Sequence, residues 1–158
     1  MYGQVRTVVG KNSTATLRTT TIESDAAGRP SDAIVSSSLG VAIEKRHIVY
    51  DQATGRATTT QTLNGAGAVT ATITRSYDTL GRQTSYIDAD GNTSTTTYDL
   101  LSRPATIDDG RGTQTLSYNG GGEKRGLATQ IVDSQAGTFT TTYNSRGAIA
   151  TEIRPDGV

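Results

Sequence analysis

The chain has 158 residues, which is room for one domain of ordinary size, and its 15 basic residues balance 15 acidic ones. Zero net charge gives no electrostatic reason to expect nucleic acid or an anionic membrane as a partner. The sequence has no cysteine, which excludes a disulfide scaffold, and no apolar run approaches the ~20 residues of a membrane span.

The composition favours short strands over a large apolar core. Leu, Ile, Val and Phe together number 28, whereas Thr alone numbers 29 and Gly numbers 18. Thr is β-branched and fits a pleated, half-buried surface, and Gly together with Asp supplies turns. The sequence therefore predicts an all-β chain of many short strands with one solvent-exposed face.

In chain order, residues 1–19 show strand character only, and recognisable repeats extend over about residues 20–158. The first landmark is the stretch DAAGR at residues 25–29. A Tyr followed by Asp or Asn then recurs at intervals of 27, 21, 20 and 25 residues, at Tyr50, Tyr77, Tyr98, Tyr118 and Tyr143. Such recurrence indicates a structural unit that is stacked many times. We predict a single repeat region over residues 1–158.

The segments between these landmarks alternate with a period of two residues. In VTATITRSY, residues 69–77, Val69, Ala71 and Ile73 share one face with Tyr77, and the threonines share the other. The same alternation is present in TFTTTY at residues 138–143. No window of 11 residues carries a helical period, so we predict strands and no helix longer than about two turns.

The turn residues after each Tyr are expected to have separate physical roles. The Asp closes a turn onto the backbone two residues on, and Gly81 with its equivalents takes a positive φ. The Arg that follows reaches the Asp of the same or an adjacent turn. The Tyr packs its ring against neighbours and leaves its hydroxyl at water. A second turn, at Asp90 and Gly91, is a strong hairpin signal, so one repeat is predicted to be one hairpin.

These residues form a structural repeat motif, and the sequence assigns no catalytic, cofactor-binding or metal-binding residue. The motif residues are Tyr50, Asp51, Gly55, Arg56, Tyr77, Asp78, Gly81, Arg82, Asp90, Gly91, Asn92, Tyr98, Asp99, Arg103, Tyr118 and Tyr143.

Residues 77–98 fit the pattern Y-D-x-x-G-R-x5-D-x-x-G-N-x5-Y. This pattern resembles the YD repeat of the Rhs family, whose relatives include the Tc-toxin C subunits and the teneurins. The resemblance implies antiparallel β-hairpin repeats that form a curved, spiralling sheet, part of a larger shell. In bacterial members such a shell encloses a C-terminal toxin and is often delivered to competing cells.

By this resemblance the chain is expected to be a piece of shell wall that is not an enzyme and uses no cofactor. Its expected partners are neighbouring YD repeats of a longer parent chain and an encapsulated toxin domain. The Asp-Pro self-cleavage site of the family is absent from the sequence, so neither the protease nor the cargo is expected in this piece. The N-terminal stretch has no signal-peptide pattern, and the parent protein is expected to be secreted or associated with a cell surface.

Two other functions are kept as alternatives. Exposed Tyr rings and Arg side chains on a sheet could bind carbohydrate or protein at a cell surface, and a row of solvent-facing Tyr would favour that alternative. A hydrolase would need a nucleophile and a base, and the single histidine, His47, has no nucleophile elbow near it.

Three stretches resemble sites of other chemistry and are assigned to turns instead. Residues 88–92, DADGN, resemble the start of a calcium loop but lack its Gly at the sixth position. Residues 119–126, NGGGEKRG, resemble a phosphate cradle but lack the Ser or Thr that follows Lys. Asp108 and Asp109 are adjacent, so on a strand they would point to opposite faces, and we interpret them as turn acids.

Overall fold

The computed structural model describes residues 5–12 and 15–156, which contain thirteen β-strands. The only helical element in these ranges is a three-residue 3-10 turn, Gly120–Gly122. All strand pairs described are antiparallel, and in each of them the two strands follow one another in the chain. These observations confirm the predicted all-β class of antiparallel hairpins. No helix in the described part of the chain could cross a membrane.

The chain forms two compact units. The first comprises Met1–Ser76 and Ile87–Gly91, and the second comprises Tyr77–Tyr86 and Asn92–Val158. A single repeat region over residues 1–158 stays a prediction.

The first unit contains six strands. The last of them extends one residue past the unit boundary, to Tyr77. The six strands are β1 (Val5–Asn12), β2 (Ala15–Ser24), β3 (Pro30–Ser37), β4 (Ala42–Tyr50), β5 (Ala57–Asn64) and β6 (Val69–Tyr77). The strand character predicted for residues 1–19 corresponds to β1 and the start of β2. Residues 1–4, 13 and 14 of that prediction lie outside the described residues.

The second unit contains seven strands. The final residue of the first of these strands, Ile87, is grouped with the first unit. The seven strands are β7 (Gln83–Ile87), β8 (Thr93–Tyr98), β9 (Pro104–Asp108), β10 (Thr113–Tyr118), β11 (Ala128–Asp133), β12 (Gly137–Tyr143) and β13 (Ile149–Ile153).

Strand pairing in the second unit separates two faces. Leu116, Ile131 and Phe139 lie opposite one another on β10, β11 and β12. The alternation of strand side chains puts Tyr118 and Tyr143 on the same face. The other face carries most of the threonines, some of which bond across strands, as in Thr97 and Thr106 with hydroxyl oxygens 2.6 Å apart. The alternating pattern thus predicted the two faces correctly.

The described residues contain no buried apolar side chain, and the two buried residues are Thr60 and Thr129. Burial of apolar surface is the main driving force for folding in most domains. Here the apolar rows are at best half-buried, so much of the stabilisation must come from strand pairing and from the turns that join the strands.

Candidate functional site: the Asp-Arg-Tyr turns

Each Tyr-Asp landmark in the described chain begins a hairpin loop of one geometry, with a longer variant at Asp51. In the turn after β6, the Asp78 N–H donates to the Arg82 carbonyl at 3.0 Å, and the Gly81 N–H donates to the Asp78 carbonyl at 2.9 Å. Gly81 has a φ of 78°. A type I turn followed by a left-handed residue is the usual three-residue hairpin loop, and it places a β-bulge beside the turn.

The bulge falls next to the landmark tyrosine. The strand register shifts by one residue immediately before the Tyr, at Tyr50, Tyr98, Tyr118 and Tyr143. In each pair the extra residue lies on the strand after the loop, opposite the Tyr strand, and it is this strand that the bulge bends. The extra residues are Thr58, Ala105, Thr129 and Ala150. The bulge therefore determines which residue of the following strand lies opposite the Tyr.

The turn aspartate binds both the backbone and the arginine side chain. Asp78 Oδ1 accepts the N–H groups of Leu80 and Arg82, both at 2.9 Å. Its Oδ2 accepts Arg82 Nε at 2.7 Å. The same three bonds, within 0.1 Å, recur at Asp25 with Arg29 and at Asp99 with Arg103. The carboxylate is thus the cap of its own hairpin and the anchor that orients the guanidinium.

Once oriented, the guanidinium reaches the next repeat. Arg82 Nη1 donates to Ser102 Oγ at 3.1 Å and to the Asp99 carbonyl at 3.5 Å, both in the following Tyr-Asp turn. The guanidinium carbon of Arg82 also lies 4.5 Å from the ring centre of Tyr98. Equivalent stacks are described for two more pairs, Arg29 on Tyr50 at 4.5 Å and Arg103 on Tyr118 at 4.0 Å. A cation over an aromatic face is attracted by the ring quadrupole.

The tyrosine hydroxyl completes the link in the opposite direction. It donates to the carbonyl at the start of the strand that follows the preceding turn. The bonds are Tyr50 to Pro30 at 2.7 Å, Tyr98 to Gln83 at 2.8 Å, Tyr118 to Pro104 at 2.8 Å and Tyr143 to Ala128 at 2.6 Å. Each of the four hydroxyls thus has a backbone acceptor on the neighbouring hairpin, a partner that was not expected from the sequence, where the hydroxyl was placed at water.

The turn that contains Asp51 and Gly55 departs from the common geometry. The Asp51 turn is one residue longer, and Asp51 Oδ1 accepts both the N–H and the hydroxyl of Thr54 at 2.7 Å. Gly55 of this turn has a φ of 70°, and a Cβ there would lie 3.2 Å from Arg29 Nη1. Gly55 therefore leaves room for the arginine of the preceding turn.

The structure also places two other motif residues, Tyr77 and Arg56. Tyr77 is half-buried at the end of β6, and Arg56 immediately precedes β5.

The second turn begins at Asp88 and not at Asp90. The Gly91 N–H donates to the Asp88 carbonyl at 3.2 Å, and Asp88 Oδ1 accepts the Asp90 N–H at 2.9 Å. Gly91 has a φ of 85°, and Asn92 immediately precedes β8. The loop thus has the Asp-x-x-Gly spacing of the Asp78 turn. That spacing was visible in the sequence and identifies this loop better than the Asp90–Gly91 pair does.

The other stretches considered in the sequence form local contacts. Asp32 Oδ1 contacts both His47 Nδ1 and Lys45 Nζ at 2.8 Å. Burial opposes the ionisation of Asp32, but the hydrogen bonds from Lys45 and His47 hold its pKa below the ordinary value. Asp108 and Asp109 each accept backbone N–H groups of their own turn. Among residues 5–12 and 15–156, no group of three or more His, Asp or Glu is placed to hold a metal ion.

We expect the chain to lose stability in acid through its turn aspartates. The Arg29 side chain holds the pKa of Asp25 below the ordinary value of 3.8, and the backbone N–H groups of Arg82 and Arg103 lower the pKa of Asp78 and Asp99. A carboxyl whose pKa is lower in the folded state stabilises the fold above the unfolded-state pKa, and this contribution is lost as the pH falls below about 4. The measurement is the urea midpoint at about pH 7 and about pH 3.

The matched variant for this experiment is Asp78→Asn. Asn caps the corresponding turns at Asn64 and Asn144, so the hairpin is expected to form with one acid-sensitive group fewer. The variant should therefore be less stable at neutral pH and lose less stability in acid. An unchanged midpoint of the unmodified chain between the two pH values would contradict the expectation.

Comparison with known proteins agrees with the turn geometry. Residues 77–115, which contain the Asp78 and Asp99 turns, match the family model described as RHS Repeat. A search of curated proteins found no significant match.

Solved structures share the fold. The chain is similar to part of the Photorhabdus luminescens Tc holotoxin pore with a mutation in TccC3, at 14% identity and a TM-score of 0.66, covering 96% of this chain and 8% of that chain. It is also similar to part of the crystal structures of TcdB2-TccC3-Cdc42 and TcdB2-TccC3-TEV, at 17% and 16% identity and a TM-score of 0.51 in both. These matches cover 89% and 95% of this chain and 10% of theirs.

The chain thus spans no more than about a tenth of the chains that it matches, and at these identities the likeness concerns the fold. The family match covers two of the three turns that have the full set of Asp-Arg contacts. Residues 77–115 thus match the RHS Repeat family model, and over most of its length the chain shares the fold of the matched parts of the Tc holotoxin pore and TcdB2-TccC3-Cdc42 structures.

Proposed function

We propose that the chain is a wall segment of a shell that encapsulates a C-terminal toxin or effector in a longer parent protein, and that this segment is not catalytic. The observation that carries the proposal is the set of contacts from three turns, those at Asp25, Asp78 and Asp99, to the hairpin that follows each of them. Each described Asp-Arg pair holds its own hairpin, and its guanidinium stacks on the Tyr of the following one. Such contacts stabilise an extended array of hairpins without a central core.

The burial pattern supports a wall more than a compact catalytic domain. A sheet that separates two compartments has a face on each side and no thick apolar interior. In the described residues the apolar side chains are at best half-buried. The partners in this proposal are neighbouring YD repeats of the parent chain and the enclosed toxin domain. One of the structures with which the chain shares a fold is that of a Tc holotoxin pore, and this chain covers only 8% of the matched chain there.

Binding of carbohydrate or protein at a cell surface remains the alternative function. Sugar rings commonly stack on free aromatic faces, and an exposed row of tyrosines would support this alternative. Three of the landmark rings, those of Tyr50, Tyr98 and Tyr118, instead carry an arginine over one face, and their hydroxyls are bonded to carbonyls. These contacts favour the wall.

The test is protection of the cargo in the full-length parent protein. Deleting residues 78–98, one complete repeat, is expected to open or distort the wall and make the enclosed domain sensitive to protease. The intact parent should protect it. Cargo that is equally protected with and without the repeat would overturn the proposal. Specific binding of the isolated chain to a glycan array would favour the alternative.

A further inference from the structure

The loop from Asn119 to Gly126, here called the long loop, interrupts the repeat pattern. Tyr118 ends β10 as the other tyrosines end their strands, but it is followed by Asn and three glycines. No Gly-Arg pair follows at the usual spacing. From the sequence, this loop is assigned to a turn like the others. In the structure it contains a carboxylate and an arginine whose contacts match those of the regular turns.

Glu123 and Arg125 reproduce the bonds within a regular turn. Glu123 Oε1 accepts the backbone N–H of Arg125 at 2.6 Å and its Nε at 2.9 Å, and Glu123 Oε2 pairs with Arg125 Nη2. In the Asp78 turn, the carboxylate likewise accepts both the backbone N–H and the Nε of its arginine. The spacing differs, since Glu-x-Arg replaces Asp-x-x-x-Arg. The longer Glu side chain can fold back over this shorter interval.

Arg125 also reproduces the bond to the next repeat. Its Nη1 donates to the Asn144 carbonyl at 2.8 Å and to the Ser145 carbonyl at 3.2 Å. Asn144 follows Tyr143 as Asp99 follows Tyr98, and the Asp99 carbonyl accepts Arg82 Nη1. The acceptor is therefore the carbonyl of the equivalent residue in the two turns. The Glu123 side chain is only 8% exposed, whereas that of Arg125 is 42% exposed.

We propose that Glu123 and Arg125 are the positioning residues of the long loop, replacing the Asp-Arg pair and docking the loop onto the turn Asn144–Ala148. The inference rests on the repeat architecture of the proposed function, and it does not depend on a cargo. Glu123 supplies the fixed negative charge, because the Arg125 side chain and then its backbone N–H hold the pKa of Glu123 at about 2. The carboxylate is therefore ionised at neutral pH and holds the guanidinium toward the two carbonyls.

The test is amide hydrogen exchange in the full chain. In the turn Asn144–Ala148, the N–H groups of Arg146, Gly147 and Ala148 are bonded to Asn144. Arg125→Ala is expected to raise their exchange rates about 3- to 10-fold, the scale of losing one or two surface hydrogen bonds. The amides of Gly81 and Arg82 in a distant turn should keep their rates. Lys124→Ala is the matched control, because it removes an exposed cation from the same loop. It should leave the amide exchange rates of both turns unchanged.

Two milder variants distinguish docking from a general effect of charge. Arg125→Lys keeps the positive charge but lacks the forked guanidinium that bonds Glu123 and two carbonyls together. The amides of the turn Asn144–Ala148 should therefore exchange about as fast as in Arg125→Ala. Glu123→Gln keeps an acceptor and removes the charge, so an intermediate rise is expected. Equal exchange at Asn144–Ala148 in Arg125→Ala and in Lys124→Ala would overturn the proposal. Full protection in Arg125→Lys would do the same. Because exchange is measured without cargo, a failure of encapsulation would leave this result unaffected.

Discussion

Gly81→Val is expected to destabilise the chain by about 1–3 kcal/mol, the scale of backbone strain at a forced left-handed residue. Gly81 has a φ of 78°, and its N–H closes the turn on the Asp78 carbonyl. A β-branched side chain resists that conformation. Because Asp78 and Arg82 flank this position, relaxing the strain would also move the carboxylate from the guanidinium. The measurement is the free energy of unfolding from urea denaturation.

Thr95→Val is the control for Gly81→Val. Thr95 lies within β8 and is exposed, and Val is also a good strand former. The control introduces the same side chain where the backbone accepts it. Its free energy of unfolding should stay close to that of the unmodified chain. Equal losses in the two variants would show that the turn conformation at Gly81 is not what limits substitution.

The fold could be predicted because its signal is local and repeated. Alternation over residues 69–77 predicts a strand, and the recurring Tyr predicts a repeated hairpin. The turn at Asp99 illustrates how far the pattern holds. Ser102 replaces the usual glycine, yet it adopts a φ of 63°, and the bonds between Asp99 and Arg103 are kept. The rest of the motif is enough to impose the turn on a residue that favours it less.

Contacts between repeats could not be predicted to the same extent. The bulge opposite Tyr98 lies at Ala105 of β9, and the register that produces it is set by the turn between β8 and β9. The hydroxyl of Tyr98 finds its acceptor, the Gln83 carbonyl, 15 residues back in the chain. The Glu123–Arg125 pair has neither the spacing nor the residue types of the motif. Each of these features depends on how two hairpins lie against each other, which the alternation of one strand does not specify.

The turns without arginine show what the arginine adds. In the turn from Asn64 to Ala68, the Asn64 N–H donates to the Ala68 carbonyl at 2.9 Å, and Gly67 has a φ of 85°. Asn64 Oδ1 accepts the N–H groups of Ala66 and Ala68, both at 3.0 Å. This is the loop of the Asp78 turn, with Ala at the position of Arg82. The hairpin therefore closes without a guanidinium, and the principal role of the arginine must be sought in its contacts with the neighbouring repeat.

Arg82→Ala is accordingly expected to destabilise the chain by about 1–3 kcal/mol, from the loss of a cation–π contact and of charge-assisted hydrogen bonds. The Arg82 side chain is 25% exposed and connects Asp78 with Tyr98 and with the turn that carries Ser102. The turn Asp78–Arg82 should still form, as the Asn64 turn does. The loss should therefore appear as weaker attachment of this hairpin to the next one, measured by urea denaturation together with the exchange rates of the Ser102 and Arg103 amides.

Arg146→Ala is the matched control, because Arg146 is an exposed arginine within the Asn144 turn, and its backbone N–H, which the substitution keeps, bonds to the Asn144 cap. Its free energy of unfolding should change by less than about 0.5 kcal/mol, as for other surface substitutions. A double-mutant cycle of Arg82→Ala with Tyr98→Leu should give a coupling energy of about 0.5–1 kcal/mol if the stack contributes directly. Additive effects in that cycle would mean that the stack on Tyr98 contributes nothing. If the two arginines also gave equal losses, the bonds to Ser102 and Asp99 would contribute little either, and Arg82 would act only within its own turn. The arginine would then be a second cap of the hairpin, and the attachment of one repeat to the next would depend on strand pairing and the tyrosine hydroxyls alone.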